Sequence, residues 1–277
     1  MDAIFEYSTI LLFSSLGITT GLVAGLLGIG GGMLIVPGLF HIFMHLHLPD
    51  DSLMRMAAGT SMCIMLATSS ASTLAHQSRG NIKWSVFRSV ILGIGIGVFT
   101  GNILANHLDA EVLELLFSLL LLLVSMKILM GWKPDKGETK EPGNWLSNTV
   151  GWAIGFKSGV FGVGGGALSV PFLMYCGLPM NKVSGTSASF TLPIAVMGTL
   201  AFLFLAPPSN VTPLSTGYVY WPAFFLVAPF TMIGAPIGAK LTTVVPKDTL
   251  RSIFALLLLF LGLKMFSHTH FFPWFPG

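Results

Sequence analysis

The sequence predicts an all-α, polytopic membrane protein built from two inverted-topology repeats of about five hydrophobic helices each. Three observations favour this fold class. First, 53% of the 277 residues are hydrophobic and only 9% are charged, with a mean hydropathy of +0.80, whereas soluble domains carry about a quarter charged residues. Second, apolar stretches of about 20 residues, long enough to cross a bilayer, recur along the chain. Third, both halves contain one glycine-rich motif.

Ten apolar segments are predicted as helices, because an open strand would leave its backbone polar groups unpaired in lipid. In chain order the segments are 8–29, 32–47, 53–76, 84–106 and 112–131 in the first half, and 146–163, 166–178, 184–206, 218–241 and 249–267 in the second. We therefore assign 1–131 to a first transmembrane repeat and 146–277 to a second. The polar stretch 132–145 carries charges of both signs and is predicted to be a cytoplasmic linker.

The duplication is visible in three blocks of residues that occur in the same order in each half. Gly28, Gly30, Gly31, Gly32 and Pro37 match Gly162, Gly164, Gly165, Gly166 and Pro171 at a constant offset of 134 residues. The triplet Gly59-Thr60-Ser61 matches Gly185-Thr186-Ser187, and the pair Gly97 and Gly101 matches Gly234 and Gly238. Three ordered matches indicate an internal repeat.

The distribution of basic residues indicates how the two halves are oriented. If the first two segments of each half form a hairpin, the halves are inverted; if they form one continuous span, the halves are parallel. Under the hairpin arrangement one side collects ten basic residues and the other only Arg55; the ten are Arg79, Lys83, Arg88, Lys133, Lys136, Lys140, Lys182, Lys240, Lys247 and Arg251. The positive-inside rule then favours inversion, with both termini outside.

The glycine motifs predict an anion site inside the membrane. The arm 166–178 has 13 residues, about 20 Å as a helix, which is too short to span, so the turn before it is expected near the midplane. Inversion brings the other turn to the same depth, as in transporters with broken helices. Backbone N–H groups at a helix start attract anions, and we therefore expect substrate contacts at six glycines: Gly30, Gly31, Gly32, Gly164, Gly165 and Gly166. The alternative is that these glycines only allow tight helix packing.

Other polar residues in the apolar segments add candidates for substrate binding. We expect Thr60, Ser61, Thr186 and Ser187 to touch the substrate or line its path, although such hydroxyls often bond to their own helix. Lys157 lies near the second glycine run, and Val23 occupies the matching position of the first half. The side chain of Lys157 either faces the substrate or snorkels to the surface.

Three histidines, His41, His45 and His47, have a spacing that suits a metal. The second half has Tyr175 at the position matching His41 and no histidine nearby, so we interpret the three as the interfacial end of a helix. No catalytic residue, metal or cofactor is predicted, and the protein is not expected to be an enzyme.

The paired glycine blocks and the Gly-Thr-Ser triplets, in a duplicated chain of this length, closely resemble the TauE/SafE family of membrane permeases. The resemblance covers nearly the whole chain. It implies transport of sulfite, sulfonates or other small sulfur-containing anions, usually outward, across the bacterial cytoplasmic membrane. It also implies that the glycines and the two triplets contact substrate. The expected partners are that anion and the lipid bilayer, with a homo-oligomer left open; the small net charge of +3 does not favour nucleic acid.

An exporter of anions suits the membrane potential, because each negative charge that leaves an inside-negative cell gains about 2.3 kcal/mol per 100 mV. We expect alternating access of the inverted hairpins around a bound oxyanion. Acidic groups able to bind a coupling proton are scarce in the apolar segments, and Glu114 is the candidate for that role. The competing hypotheses are an anion channel with the same architecture and an intramembrane metalloenzyme that uses the histidines.

Overall fold

The computed structural model describes residues 7–27, 31–131, 143–204, 212–241 and 247–269. All ten predicted segments form helices. In the first half these are α1 (Tyr7–Leu27), α2 (Gly32–His45), α3 (Asp50–Ser78), α4 (Trp84–His107) and α5 (Ala110–Leu129); in the second half they are α6 (Asn144–Phe161), α7 (Gly166–Tyr175), α8 (Met180–Phe204), α9 (Trp221–Leu241) and α10 (Lys247–His268). Gly30 of the first glycine run and residues 132–142 of the predicted linker lie outside the described residues.

One element was not predicted from the sequence. A two-stranded antiparallel hairpin of β1 (Ser215–Thr216) and β2 (Val219–Tyr220) lies immediately before α9. Gly217 adopts a φ of +58° in its turn, a conformation that glycine reaches without steric cost. The hairpin fixes the point at which the chain enters α9.

The first two helices of the chain form a hairpin rather than one continuous span. Near the open end, the rings of Phe13 on α1 and Phe43 on α2 meet edge to face, with 6.4 Å between centroids. Nearer the turn, Gly38 lies against the side chain of Leu16. Between these two contacts the residue numbers rise on α1 and fall on α2. The two helices are therefore antiparallel, and the chain reverses direction at the glycine run.

Matching helices of the two halves run in opposite directions where they touch. Between α3 and α8, the hydroxyl of Thr73 donates to the carbonyl of Ala188 at 3.4 Å, and further toward the start of α3, Met62 packs against Gly198. Positions therefore rise on α3 as they fall on α8. Repeats related by simple translation would place matching helices in the same direction, so this pair shows that the repeats are inverted.

The last helices of the two repeats show the same relationship. Ser125 on α5 donates its hydroxyl to the carbonyl of Ala255 on α10 at 2.7 Å, while Leu122 lies beside Gly262. The two helices are antiparallel, as α3 and α8 are. The inverted fold predicted from the charge distribution is confirmed by both pairs.

Glycine stripes join one helix of each half to a helix of the other. Gly93, Gly97 and Gly101 on α4 lie against the backbone of α6, and Gly151, Gly155 and Gly159 on α6 lie against the backbone of α4. A side chain at Gly155 would collide with the carbonyl oxygen of Ile94. Small residues at every fourth position let two helices approach closely in a membrane, and this explains the repeated glycines outside the turns.

The inversion predicts that α1 and α9 pack as α4 and α6 do, and glycines mediate this contact as well. Gly17 and Gly21 on α1 lie against carbonyl oxygens of Val227 and Thr231 on α9. Because positions rise together on the two helices, α1 and α9 are parallel, as α4 and α6 are. Each of these pairs takes one helix from each repeat.

The outer surface of the bundle is apolar, as a lipid-facing surface must be. On α4, Leu92, Ile96 and Phe99 are 72%, 62% and 57% exposed and lie on one face. Within the described residues, five helices are long and apolar enough to span a membrane, namely the stretches Tyr7–Gly25, Trp84–His107, Ala110–Leu129, Met180–Phe204 and Trp221–Gly238. The protein is a polytopic membrane protein.

Candidate functional site

The two glycine turns meet in the interior of the bundle. A methyl group built on Gly32 would lie 3.0 Å from the backbone nitrogen of Gly164 and 3.2 Å from the Cα of Val163. The sulfur of Met65 on α3 would lie 2.8 Å from the same methyl group. Residue 32 therefore has no space for a side chain, and the two turns approach each other as the inverted repeats predict.

Each turn uses a glycine in the left-handed region of backbone conformation. Gly31, with a φ of +60°, precedes α2, and Gly162, with a φ of +69°, ends α6. The carbonyl of Gly31 accepts the first hydrogen bonds of α2, from the amides of Leu34 and Ile35. The first backbone amides of α2 and α7 have no partner inside their own helix.

A cavity of about 300 Å³ lies on one side of the meeting point. Five helices line it: α1, the start of α2, the second half of α3, α8 and α9. Most of the wall is apolar and includes Ile35, Met232 and Pro236; the residues used below are Gly31, Ser69, Ser72, His76 and Arg79. Alanines and glycines of α1 and α9 leave the space that larger residues would fill.

The polar face of α3 supplies groups that are free to bind a ligand. Ser69, Ser72, His76 and Arg79 follow one another at helical spacing and all line the cavity. Ser69 Oγ and His76 Nδ1 are buried and accept or donate no hydrogen bond within the part of the chain that the structure describes. Buried polar atoms almost always have a partner, so these two are the unsatisfied polar atoms of the cavity wall among the described residues.

Sequence reasoning did not single out His76 or Arg79. The signal that would have found them is the i, i+3, i+7, i+10 spacing of Ser69, Ser72, His76 and Arg79, which places an imidazole and a guanidinium on the hydroxyl-bearing face of α3.

The threonines of the Gly-Thr-Ser triplets join the two repeats. Thr60 Oγ1 accepts a hydrogen bond from the backbone N–H of Tyr220 at 3.0 Å. Thr186 Oγ1 accepts one from the backbone N–H of Lys83 at 2.9 Å. Tyr220 and Lys83 each stand one residue before a helix of the opposite repeat, so the two bonds are related by the inversion. Both threonines are fully buried and neither lines the cavity.

The glycines of the same triplets allow this close approach. A side chain on Gly59 would lie 2.7 Å from the carbonyl oxygen of Tyr218, and one on Gly185 would collide with the carbonyl oxygen of Asn81. The serines are buried as well. Ser187 Oγ lies 2.7 Å from Ser169 Oγ of α7, whereas Ser61 Oγ has no hydrogen-bond partner among the described residues.

Lys157 points inward. Its side chain is 8% exposed, and its Nζ donates a hydrogen bond to the carbonyl oxygen of Gly164 at 2.9 Å. The ammonium group therefore does not snorkel in this structure; it binds the second glycine turn. Val23, at the matching position of the first half, can form no such bond.

The remaining predicted glycines belong to the second turn. Gly165 packs between Ile154 and Ile194, and its carbonyl accepts hydrogen bonds from the amides of Leu168 and Ser169. Gly166 is the first residue of α7 and is buried. Of the predicted site residues that the structure describes, Gly31 lines the cavity, whereas the other glycines, the two triplets and Lys157 do not.

The histidine cluster is not assembled into a ligand set. His41 Nδ1 lies 2.8 Å from the carbonyl oxygen of Pro37 on its own helix. Over the described residues, no group of three or more His, Cys, Asp or Glu side chains is placed to hold a metal ion.

Comparisons with known proteins identify similar sequences. The profile of one protein family, described as "Sulfite exporter TauE/SafE", matches residues 13–265. A probable membrane transporter protein of Haemophilus influenzae is 32% identical over 94% of this chain and 99% of its own length. A probable membrane transporter protein of Methanocaldococcus jannaschii is 27% identical, over 94% of this chain and 97% of its own. One of Bacillus subtilis is 24% identical, over 90% and 94%. No solved structure matches the chain.

Proposed function

The chain belongs to the sulfite exporter TauE/SafE family of membrane transporters, and from this premise we propose that it exports a small sulfur-containing oxyanion across the cytoplasmic membrane by alternating access. The substrate class is sulfite or a small organosulfonate. The cavity beside the glycine turns is the binding site of the state described here.

The observation that carries this proposal is the pair of unpartnered polar atoms in the cavity wall. Ser69 Oγ and His76 Nδ1 are buried without a partner in the described residues, and both can donate a hydrogen bond to a sulfonyl or sulfite oxygen. Arg79, one helical turn beyond His76, adds a guanidinium, which binds oxyanions through two parallel hydrogen bonds. The three groups together supply charge and directional donors for a tetrahedral or pyramidal oxyanion.

The position of Arg79 gives the cavity a direction. Arg79 is exposed at the end of α3, on the side where the positive-inside rule places the cytoplasm. The anion therefore enters from the cytoplasm and moves inward along α3 toward the glycine turns. Both termini lie outside in this orientation, and the linker is cytoplasmic.

The glycine turns form the barrier that a transport cycle must open. Gly32, Gly164 and Met65 are in direct contact across the path, a feature that supports a transporter rather than an open channel. When the turns separate, the amides of Gly164, Gly165 and Gly166 become available to the anion, as do those of Gly30–Gly32. Lys157 positions the second turn through the carbonyl of Gly164. Thr60, Ser61, Thr186 and Ser187 hold the helices around that path.

Flux measurements on the purified protein in liposomes test the proposal. We expect labelled sulfite or methanesulfonate to leave the vesicles faster when the interior is made negative. Arg79→Ala should reduce transport, whereas Arg88→Ala, an exposed arginine of α4 outside the cavity, should not. Lack of flux for every sulfur oxyanion tested, or equal flux in the two variants, would contradict the proposal. Conformational steps take microseconds to milliseconds, so a flux with many more ions per second than such steps permit would indicate a channel.

A further inference from the structure

A buried acid and an imidazole lie in contact away from the anion cavity. Glu114, near the start of α5, has a side chain that is 8% exposed, and its Oε1 lies 3.1 Å from Nδ1 of His268 at the end of α10. The imidazole is 44% exposed. The pair therefore connects a buried carboxyl group to the surface, and neither residue lines the cavity.

Other charged groups face this pair from the helices around it. Glu111 on α5 and Asp50 at the start of α3 act electrostatically on Glu114. On the imidazole side, Lys264 of α10 and His268 itself act on His41 of α2. Acidic groups thus act on the carboxyl of the pair, and a lysine acts on the neighbouring His41.

Helix α2 connects this pair to the anion cavity. Gly31, immediately before α2, lines the cavity. Further along the same helix the ring of Phe40 meets the ring of His268 edge to face, with 5.8 Å between centroids. Residues 32 and 40 are eight positions apart on this helix, a separation of about 12 Å. Since α2 is one continuous helix of 14 residues, with Pro37 inside it, a movement of the first glycine turn is transmitted along it to the surface against which His268 packs.

We propose that Glu114 and His268 form a proton-binding site whose occupancy changes as the first hairpin moves, so that the exported oxyanion is exchanged for a proton that moves inward. In the loaded form Oε1 of Glu114 carries the proton and donates it in a hydrogen bond to Nδ1 of a neutral imidazole. In the unloaded form water has taken that proton, leaving a neutral imidazole and a carboxylate. No covalent bond changes. This inference rests on the proposed function, because it adds a coupling ion to the transported anion.

The coupling is tested by flux in liposomes whose membrane potential is held at zero with potassium and valinomycin. We expect a pH gradient alone to drive labelled sulfite and methanesulfonate in wild-type protein. Methanesulfonate keeps one negative charge throughout the pH range, so its response reports on the protein and not on protonation of the anion. Glu114→Gln and His268→Gln should lose at least about tenfold of the gradient-driven flux and keep downhill exchange, which shows that they fold.

Two matched variants serve as controls. Asp109→Asn removes an exposed acid near the start of α5, and His107→Gln removes an exposed imidazole at the end of α4; both should respond to the pH gradient like wild type. Wild-type flux that ignores the gradient, or a Glu114→Gln variant that still follows it, would overturn the coupling while leaving the proposed function intact.

An infrared measurement separates failure of the proton site from failure of transport. If no anion moves at all, the proposed function is wrong, and a pH titration of the carboxyl C=O band then judges the site by itself. A band that disappears in Glu114→Gln and shifts its midpoint in His268→Gln supports a shared proton. Titrations that are identical in the three proteins would overturn it.

Discussion

The hydroxyl of Thr60 accepts a hydrogen bond from the backbone N–H of Tyr220, a residue 160 positions away in the chain, at 3.0 Å. The hydrogen bond from the backbone N–H of Lys83 to Thr186 Oγ1 is its counterpart under the inversion that relates the two repeats. The sequence predicts that the Gly-Thr-Ser triplets contact substrate. In the folded protein the threonine of each triplet accepts a hydrogen bond from the residue that precedes a helix of the opposite repeat. The first prediction tests that role.

Thr60→Val and Thr186→Val should destabilise the protein, because each leaves a buried backbone N–H without an acceptor, at a cost of about 1–3 kcal/mol. The two losses should be similar, since the two bonds are related by the inversion. Thermal or denaturant unfolding in detergent measures them. Thr149→Val is the control, because that exposed hydroxyl bonds only to its own helix. Unchanged stability together with weakened anion binding would instead assign the threonines to the substrate.

Gly155→Leu should prevent α4 and α6 from packing, because even a methyl group at this position collides with the carbonyl of Ile94. Gly155→Ala should already destabilise by about 1–3 kcal/mol through overpacking. Gly143→Ala is a suitable control, since a methyl group there has no neighbour within 4 Å. Unfolding midpoints in detergent compare the three variants, and a stable Gly155→Leu protein would refute the packing described for these helices.

Ser69→Ala should weaken anion binding about threefold to tenfold, the loss of one hydrogen bond of roughly 0.5–1.5 kcal/mol. The neighbouring variant Ser70→Ala should bind normally, because that hydroxyl bonds to the carbonyl of Leu66 on its own helix and does not line the cavity. Calorimetric titration with sulfite measures both affinities. Equal affinities would remove Ser69 from the binding site.

His76→Phe should abolish binding more completely than Ser69→Ala. The ring of phenylalanine removes the Nδ1 donor and adds volume to the cavity wall, while its aromatic packing is kept. Phe202 occupies the matching position of the second half, so the fold accommodates phenylalanine at this register. His107→Phe, on an exposed helix end, is the control. Wild-type affinity in His76→Phe would show that the anion binds elsewhere.

Lys157→Met should slow transport by about tenfold or more, equivalent to about 1.4 kcal/mol on the limiting step, with little change in the apparent KM. The variant keeps the length and packing of the side chain but loses the bond to the Gly164 carbonyl, so it loosens the second turn without touching the cavity. Lys127→Met, an exposed residue near the end of α5, is the matched control. Concentration-dependent flux separates the two parameters, and a raised KM with normal maximal rate would assign Lys157 to direct substrate binding.

The helices, the hairpins and the inversion were predictable because they depend on local and additive properties. Apolar segment length and the sum of basic residues on each side decide them without any knowledge of contacts. The glycine turns were predictable for a similar reason: glycine permits the φ of +60° that Gly31 adopts, and duplication marked both turns.

The site was less predictable because its contacts are distant in sequence. No local sequence pattern identifies Tyr220 as the hydrogen-bond partner of Thr60. The bond from Lys157 to the carbonyl of Gly164 depends on how the second turn folds back. The cavity is a volume that small residues of α1 and α9 leave beside α3, so it appears only once five helices are in place. The sequence spacing places His76 and Arg79 on the hydroxyl-bearing face of α3, but it does not show that this face borders a cavity.

The exchange of partners between the halves has a consequence for how the protein is made. α1 leaves the ribosome about 200 residues before α9, yet the glycine face that α1 buries is completed by α9. Neither half is a self-sufficient unit: a truncated product would present bare backbone grooves to lipid or to other chains. Assembly must therefore wait for the whole polypeptide, and separately expressed halves should associate with each other rather than persist alone.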